Sequence, residues 1–245
     1  AEAAVRQGLN ELCITDHVDT LYWDDFRPRW DFDWDEARRQ FREAQALWGD
    51  RITLRLGAEL GDAQYGFDRA VHMMDGAPVD FVIGSVHLGG KKFGNMDLYY
   101  IEKGDEAYYD SVIDSYLDSV LELARWGQFQ VLGHLTLPLR YINESHGEQM
   151  TFAGHEDQCR EIFRTLIENG CGIECNTNRG HDPLPDGPLL RLYRELGGEI
   201  ITLGSDAHNT RYVGCAIRER QELLRQCGFR YFTTFEGGTP AFQPL

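Results

Sequence analysis

Basic residues are scarce in this sequence: 24 Lys and Arg stand against 40 Asp and Glu, a formal net charge of −16. Counterion release from nucleic acid needs clustered Lys and Arg, so no nucleic-acid partner is expected. Docking on anionic lipid is disfavoured on the same ground. Long hydrophobic runs are missing too, since no apolar stretch approaches the roughly 20 residues of a membrane span. Cysteine is sparse: Cys13, Cys159, Cys171, Cys175, Cys215 and Cys227 include no C-x-x-C pair. A disulfide framework is therefore not expected, and a reducing, cytoplasmic setting is. Cys171 and Cys175 share one face of a predicted strand, and the thiols read as small buried hydrophobes. Two catalytic signatures are absent. The Gly84–Lys92 segment lacks both the G-x-x-x-x-G-K-[ST] pattern and a following helix, which excludes a P-loop. No G-x-S-x-G elbow occurs, which excludes an α/β-hydrolase serine mechanism.

Hydrophobic residues at 42% and aromatics at 12% suffice for a large core. The 245 residues allow two small domains or one α/β barrel of about 250 residues. No Pro-, Gly- or Ser-rich linker and no repeat divides the chain, so one domain over 1–245 is expected, with a small hairpin near 230–245. Strands are predicted at Glu11–Thr15, Thr53–Leu60, Asp80–Val86, Gln130–Gly133, Gly172–Asn176 and Glu199–Leu203. Helical periodicity lies between them: Asp33 with Glu36 makes a capping-box-like start to a helix ending near Trp48. Further helices span about Asp105–Trp126, Glu156–Asn169, Pro188–Leu196 and Arg218–Cys227, the last three closed by glycine. This alternation argues for a parallel sheet with helices outside. Residues 1–8 read as the last turns of a helix closed by Gly8, with no N-cap before them. The expectation is that a parent protein carries more chain upstream.

Every predicted strand finishes in a titratable or metal-capable residue. Asp16-His17 ends the first, Glu59 the second, His87 the third, His134 the fourth, Glu174 the fifth, and Asp206 with His208 the sixth. In parallel α/β folds the carboxyl ends of strands form the active-site face. Asp206 and His208, two apart, would point to one side of a strand; of the adjacent Asp16 and His17 only one can face the mouth. A His/carboxylate cluster suits zinc, iron or manganese, and no thiolate is near it to make a structural zinc site. Divalent ions held a few Å apart lower the pKa of a bridging water and clamp the oxygens of a displacement at phosphorus. Glu59 is the natural bridge, because a carboxylate can serve two ions. Arg140 and Arg179 fall in loops at this face, where each could clamp a phosphate or make a surface salt bridge. His181, after the fifth strand, is a candidate substrate contact. His72, His146 and His155 are expected at the surface or solvated. The aromatic run Tyr22, Trp23, Phe26, Trp30, Phe32 and Trp34 reads mainly as core, with a pocket wall as the other use.

The motifs Thr15-Asp16-His17, Gly57-Ala58-Glu59, Ser85-Val86-His87, Gly133-His134-Leu135 and Gly204-Ser205-Asp206-Ala207-His208 resemble, in order and spacing, those of the PHP (polymerase and histidinol phosphatase) superfamily. Glu174-Cys175-Asn176-Thr177 and Gly228-Phe229-Arg230-Tyr231 are similar to its histidinol-phosphatase branch. The resemblance implies an α/β fold, a distorted (β/α)7 TIM-like barrel, with up to three divalent ions (Zn, Mn or Fe). It implies hydrolysis of L-histidinol phosphate, a small phosphorylated substrate, in histidine biosynthesis by a metal-bridging hydroxide. By the same resemblance Glu59, His87 and His134 would hold one ion, Glu59 and Asp206 a second, and His17 and His208 a third. Asp16 would be an acid–base group beside that third ion. Family members open with an H-x-H pair on the first strand that serves the ion shared by Glu59 and Asp206. This sequence contains no H-x-H. The first strand therefore reads as missing, the pair is expected upstream, and weaker metal binding is expected of the chain as written. A carboxylate such as Asp19 or Asp24, or water, would stand in for a histidine that some members use at the third ion. The alternatives are another PHP phosphoesterase, acting on sugar phosphates or as a nucleotide 3′-phosphodiesterase, or a metal-poor, non-catalytic barrel.

Overall fold

Strand and helix alternate along nearly the whole chain in the computed structural model, which describes residues 1–245. The order is α1 (Glu2–Arg6), β1 (Glu11–Asp19), α2 (Trp34–Trp48), β2 (Thr53–Gly61), α3 (Phe67–Met74), β3 (Phe81–Ser85), α4 (Glu106–Trp126) and β4 (Val131–Leu132). It continues with α5 (Leu137–Leu139), α6 (Glu156–Glu168), β5 (Gly172–Asn176), α7 (Gly187–Glu195), β6 (Ile201–Gly204), α8 (Ile217–Gln226), β7 (Tyr231–Glu236) and β8 (Thr239–Pro244). Strands β1 to β6 form one parallel sheet in sequence order, and β7–β8 is a separate antiparallel hairpin. The sheet curls as a half-barrel. A groove of about 850 Å³ runs between its first and last strands, lined by Glu11–His17 on one side and Thr202–His208 on the other.

Helix starts follow local chemistry. The side chains of Asp33, Asp105 and Asp186 accept from the backbone N–H of Glu36, Tyr108 and Leu189, capping α2, α4 and α7. Helix α4 is the main buttress: Tyr109, Ile113, Tyr116, Val120 and Leu123 are fully or almost fully buried. They join the outward side chains of the sheet (Ala58, Leu60, Leu132, Ile173, Cys175) in one core between sheet and helices. A smaller cluster, Phe81, Ile83, Val131 and Phe235, plugs the inside of the half-barrel at its amino end. The carboxyl end of the inner face is left polar.

The thiols are all free; Cys159, Cys171, Cys175 and Cys227 are buried, while Cys13 and Cys215 are half-buried. His155 departs from its expected solvated state. It is buried at the start of α6, with Nδ1 on Gln158 Oε1 (2.8 Å) and Nε2 on Asp110 Oδ1 (2.9 Å), because α4 brings Asp110 against it. His72 is exposed beside the Trp30 ring, and His146 meets the Tyr109 hydroxyl (2.8 Å).

Candidate metal centre and substrate cleft

Register builds the site. Parallel pairing sets His17 beside Glu59 and Glu59 beside Ile83. Alternation then puts Cys13, Thr15, His17 and Asp19 on the inner face of β1, with Gly57, Glu59 and Gly61 next to them on β2. Strand β1 continues to Asp19 rather than ending at the Thr15-Asp16-His17 motif. That extension decides between the adjacent pair: His17 faces inward and Asp16 is exposed on the other face. Asp16, the expected acid–base group, thus lies on the face opposite to His17 and Glu59, at the groove beside β1.

Glu59 is the centre of the arrangement. Its Oε1 lies 3.1 Å from His87 Nε2 and 2.9 Å from His134 Nε2, and its Oε2 lies 3.7 Å from His17 Nε2. All three imidazoles thus aim the same nitrogen at one buried carboxylate. The ligand atoms of His17, Glu59 and His87 fall within 4.8 Å of one another, close enough to share an ion. Behind the rings stand two more carboxylates: Asp62 Oδ2 is 3.5 Å from His87 Nδ1, and Asp19 Oδ1 is 3.6 Å from His17 Nδ1. Carboxylates behind ligating histidines orient the ring and raise its basicity. Asp62 also accepts the His87 N–H (3.1 Å) and holds a left-handed backbone, φ 54°. Asp19 accepts the Trp23 indole N–H (2.7 Å). The His17, His87 and His134 Nδ1 atoms and Asp19 Oδ1 are buried without a hydrogen-bond partner.

The electrostatics follow from this packing. Burial alone would raise Glu59, but hydrogen bonds from His134 and His87 and the nearby His17 hold it well below the usual carboxylate range. Burial would lower His87, yet Asp62 and Glu59 outweigh it and hold the imidazole well above its ordinary value. His17 is shifted upward in the same way, burial being overcome by Asp19 and Glu59.

The last strand contributes differently from the expected pattern. Strand β6 ends at Gly204, so the two-residue alternation does not reach Asp206 and His208. Asp206 instead sits in a left-handed loop conformation, φ 49°, with its Oδ2 2.7 Å from Arg140 Nη2. Burial would raise this carboxyl, but Arg140 lowers it. His208 is exposed, its Nδ1 3.5 Å from Asp206 Oδ1 and its ring 5.7 Å from that of His17. Arg140 opens a wider, π-type turn over Arg140–Ser145. Its fork is set by Asn178 Oδ1 (2.8 Å) and Asn176 Oδ1 (3.3 Å).

A cleft of about 300 Å³ joins these groups, lined by His17, Glu59, His87, His134, Arg140, Asp206 and His208 with Trp23, Asp97, Tyr99, Tyr100, Leu137 and Tyr141. Three candidates lie outside it, Asp16 on the opposite face of β1, Arg179 and His181. Arg179 is exposed and paired with Glu144 Oε2 (2.9 Å), and His181 is exposed, its carbonyl accepting from Arg220. Of the aromatic run, Trp23 walls the cleft, while Phe32 and Trp34 pack on the core. Sequence reasoning missed Asp62, Asp97 and the positioning role of Glu174. Buried Glu174 accepts the His134 N–H (2.9 Å) and the Asn176 side-chain amide (3.1 Å), pinning the turn that carries His134. Asp62 had a signal, being a carboxylate directly after the last strand residue; Asp97 had none.

Comparison with known proteins identifies the family and several relatives. The PHP domain model matches residues 1–178. Histidinol-phosphatase of Lactococcus lactis is 30% identical over 244 residues, covering 96% of this chain and 86% of that protein. The crystal structure of histidinol phosphate phosphatase from the same organism, complexed with zinc, L-histidinol and phosphate, matches with a TM-score of 0.78 at 26% identity. That match covers 98% of this chain and 90% of that one. A Listeria monocytogenes structure at 13% identity and TM-score 0.68, covering 89% of this chain and 91% of that one, shares the fold. The strand-end motifs, the imidazoles gathered on Glu59 and these matches agree: the chain belongs to the PHP family, in its histidinol-phosphatase branch.

Proposed function

We propose that this chain is a metal-dependent phosphomonoesterase that hydrolyses L-histidinol phosphate to L-histidinol and phosphate, acting in the cytoplasm. The observation that carries the reading is the Glu59 carboxylate enclosed by the Nε2 atoms of His17, His87 and His134 beside Arg140. The Lactococcus lactis relatives described above bear that activity in their names. The donor set fits divalent ions: imidazole and carboxylate without thiolate, with the far side of two rings facing a carboxylate. Glu59, His87 and His134 are the proposed ligands of one ion, Glu59 and Asp206 of a second, and His17 with His208 of a third, as zinc, manganese or iron. Bound there, divalent ions supply Lewis-acid stabilisation of the phosphoryl oxygens and an activated water at neutral pH.

The chain's own residues do the rest. Arg140, its fork oriented by Asn176 and Asn178, offers planar donors to a phosphate monoester. Asp62 and Asp19 keep His87 and His17 turned inward, and Glu174 sets the height of His134. Trp23, Tyr99 and Tyr141 make an apolar wall for an imidazole-bearing alcohol. The −16 net charge fits a small substrate rather than an extended nucleic acid. Phosphate release from L-histidinol phosphate, measured on the zinc- or manganese-loaded protein with Glu59→Ala and His134→Ala beside it, tests the reading. Activity undiminished in both variants sinks the metal assignment; faster hydrolysis of sugar phosphates or oligonucleotides sinks the substrate.

A further inference from the structure

One charged group in the cleft has no part in holding metal or phosphate. Asp97 follows the Gly89-Gly90 loop, bridges back to Leu88, and is buried to 8% exposure in the cleft that Trp23, Tyr99 and Tyr141 also line. Its Oδ1 accepts the Tyr99 N–H (2.8 Å), and the other oxygen has no partner in the protein. The charged groups around it do not neutralise it. Asp62 and Asp19 add negative potential, and the opposing group, His87, is already committed to Asp62 and Glu59. Arg140, the cleft's one guanidinium, is held by Asp206, Asn176 and Asn178. Burying a carboxylate with one lone hydrogen bond is costly unless a cation completes it.

We infer that Asp97 receives the ammonium group of the substrate and selects phosphate monoesters of amino alcohols over uncharged ones. The inference rests on the histidinol-phosphate reading and adds which of its groups is recognised. The amine is the group fully charged at neutral pH, since imidazole titrates near ~6.5. Position agrees with that choice. Leu98, next to Asp97, donates its N–H to the His87 carbonyl (3.0 Å), so the carboxylate stands against the wall that carries the metal-facing imidazoles. An ammonium on the carbon adjacent to the ester-bearing carbon must lie close to that wall when the phosphate sits on it. The Tyr99 and Tyr141 rings, 5.8 Å apart, offer π-faces beside the same charge.

Calorimetry on the zinc-loaded protein tests this with three probes: L-histidinol, its amine-free analogue 3-(imidazol-4-yl)propan-1-ol, and inorganic phosphate. Asp97→Asn keeps an oxygen for the Tyr99 N–H. It should weaken L-histidinol binding about 10- to 100-fold, leave phosphate and the amine-free alcohol unchanged, and make the two alcohols bind alike. With L-histidinol phosphate the variant should raise KM far more than it lowers kcat. Retention of phosphate binding and zinc content shows that the variant is folded. L-Histidinol affinity within twofold of the unsubstituted chain, or equal weakening of both alcohols, overturns the assignment. If the unsubstituted chain binds phosphate and the amine-free alcohol but shows no preference for L-histidinol, the substrate reading fails and the inference falls with it.

Discussion

Gly204→Ala should damage this protein through Glu174, the carboxylate on the neighbouring strand that holds the His134 backbone. A Cβ on Gly204 would stand 1.7 Å from Glu174 Oε1 and 2.7 Å from its Cδ, so the side chain must leave its place. Glu174 Oε2 holds the His134 N–H at 2.9 Å and the Asn176 amide at 3.1 Å, and both bonds are buried. Overpacking of this kind costs about 1–3 kcal/mol, and a hydrogen bond to a charged or buried acceptor is worth roughly 1.5–3 kcal/mol. The two losses overlap, because one movement causes both, and a net cost of about 2–4 kcal/mol is expected. Without the clash the sign would reverse: Gly→Ala in an ordinary backbone conformation stabilises by about 0.4–1 kcal/mol through the unfolded chain. Urea denaturation of the metal-free protein reads the sign directly, and zinc titration reads the displacement of His134. In the Gly204→Ala background, Glu174→Asp withdraws the carboxylate by one methylene and should recover part of the stability. A Gly204→Ala protein as stable as the parent, with undiminished zinc affinity, would refute the account of how His134 is held.

Other expectations concern charge and thiols. His87 and His17 have raised folded pKa values, so their stabilisation is complete below the unfolded imidazole value of about 6.5 and disappears as pH rises through the folded values. Glu59 is depressed, so its contribution is complete above about 4.3 and disappears as pH falls through its folded value. Urea midpoints of the metal-free chain should therefore peak between those limits, and a midpoint that climbs steadily to pH 9 contradicts the cluster's electrostatics. Zinc should move the optimum upward, because the ligating imidazoles must shed protons. Arg140→Lys keeps the charge and loses the planar fork set by Asn176 and Asn178; inorganic phosphate should bind about tenfold more weakly, and unaltered affinity argues against a clamping role. Burial pushes the Cys159 and Cys175 thiols up to about 12. Both should resist alkylation at pH 8 in the folded protein and react after denaturation, as peptide mapping would show.

The half-barrel was legible because its signals are local. Buried strands are continuous apolar runs, helices carry an aspartate cap or a closing glycine, and the strand-end histidines and carboxylates interrupt otherwise consistent patterns. What escaped notice depends on contacts between distant segments. Strand β1 runs past its predicted end at Thr15 because the fold buries Asp19 behind His17 and gives one of its oxygens the Trp23 indole N–H. Asp62 becomes an orienting group only when the His87 backbone swings over it, and His155 loses its water only when α4 delivers Asp110 from 45 residues away. Arg179 and His181 had suitable placement in sequence, but the turn after β5 directs one to Glu144 and leaves the other in solvent.

The open side of the half-barrel has a kinetic consequence. Strands β2 to β5 are paired on both sides, while β1 and β6 border the groove and each lack a strand neighbour there. Amides of border strands open in low-energy fluctuations, whereas central ones exchange hydrogen only on larger unfolding events. His17 lies on one border strand, Asp206 and His208 follow the other, and Glu59 and His134 belong to the centre. An ion shared between border and centre would stitch the two classes together. Protection of β1 and β6 amides should then rise on loading while β2 to β5 change little, so deuterium uptake at the two borders reports metal occupancy strand by strand.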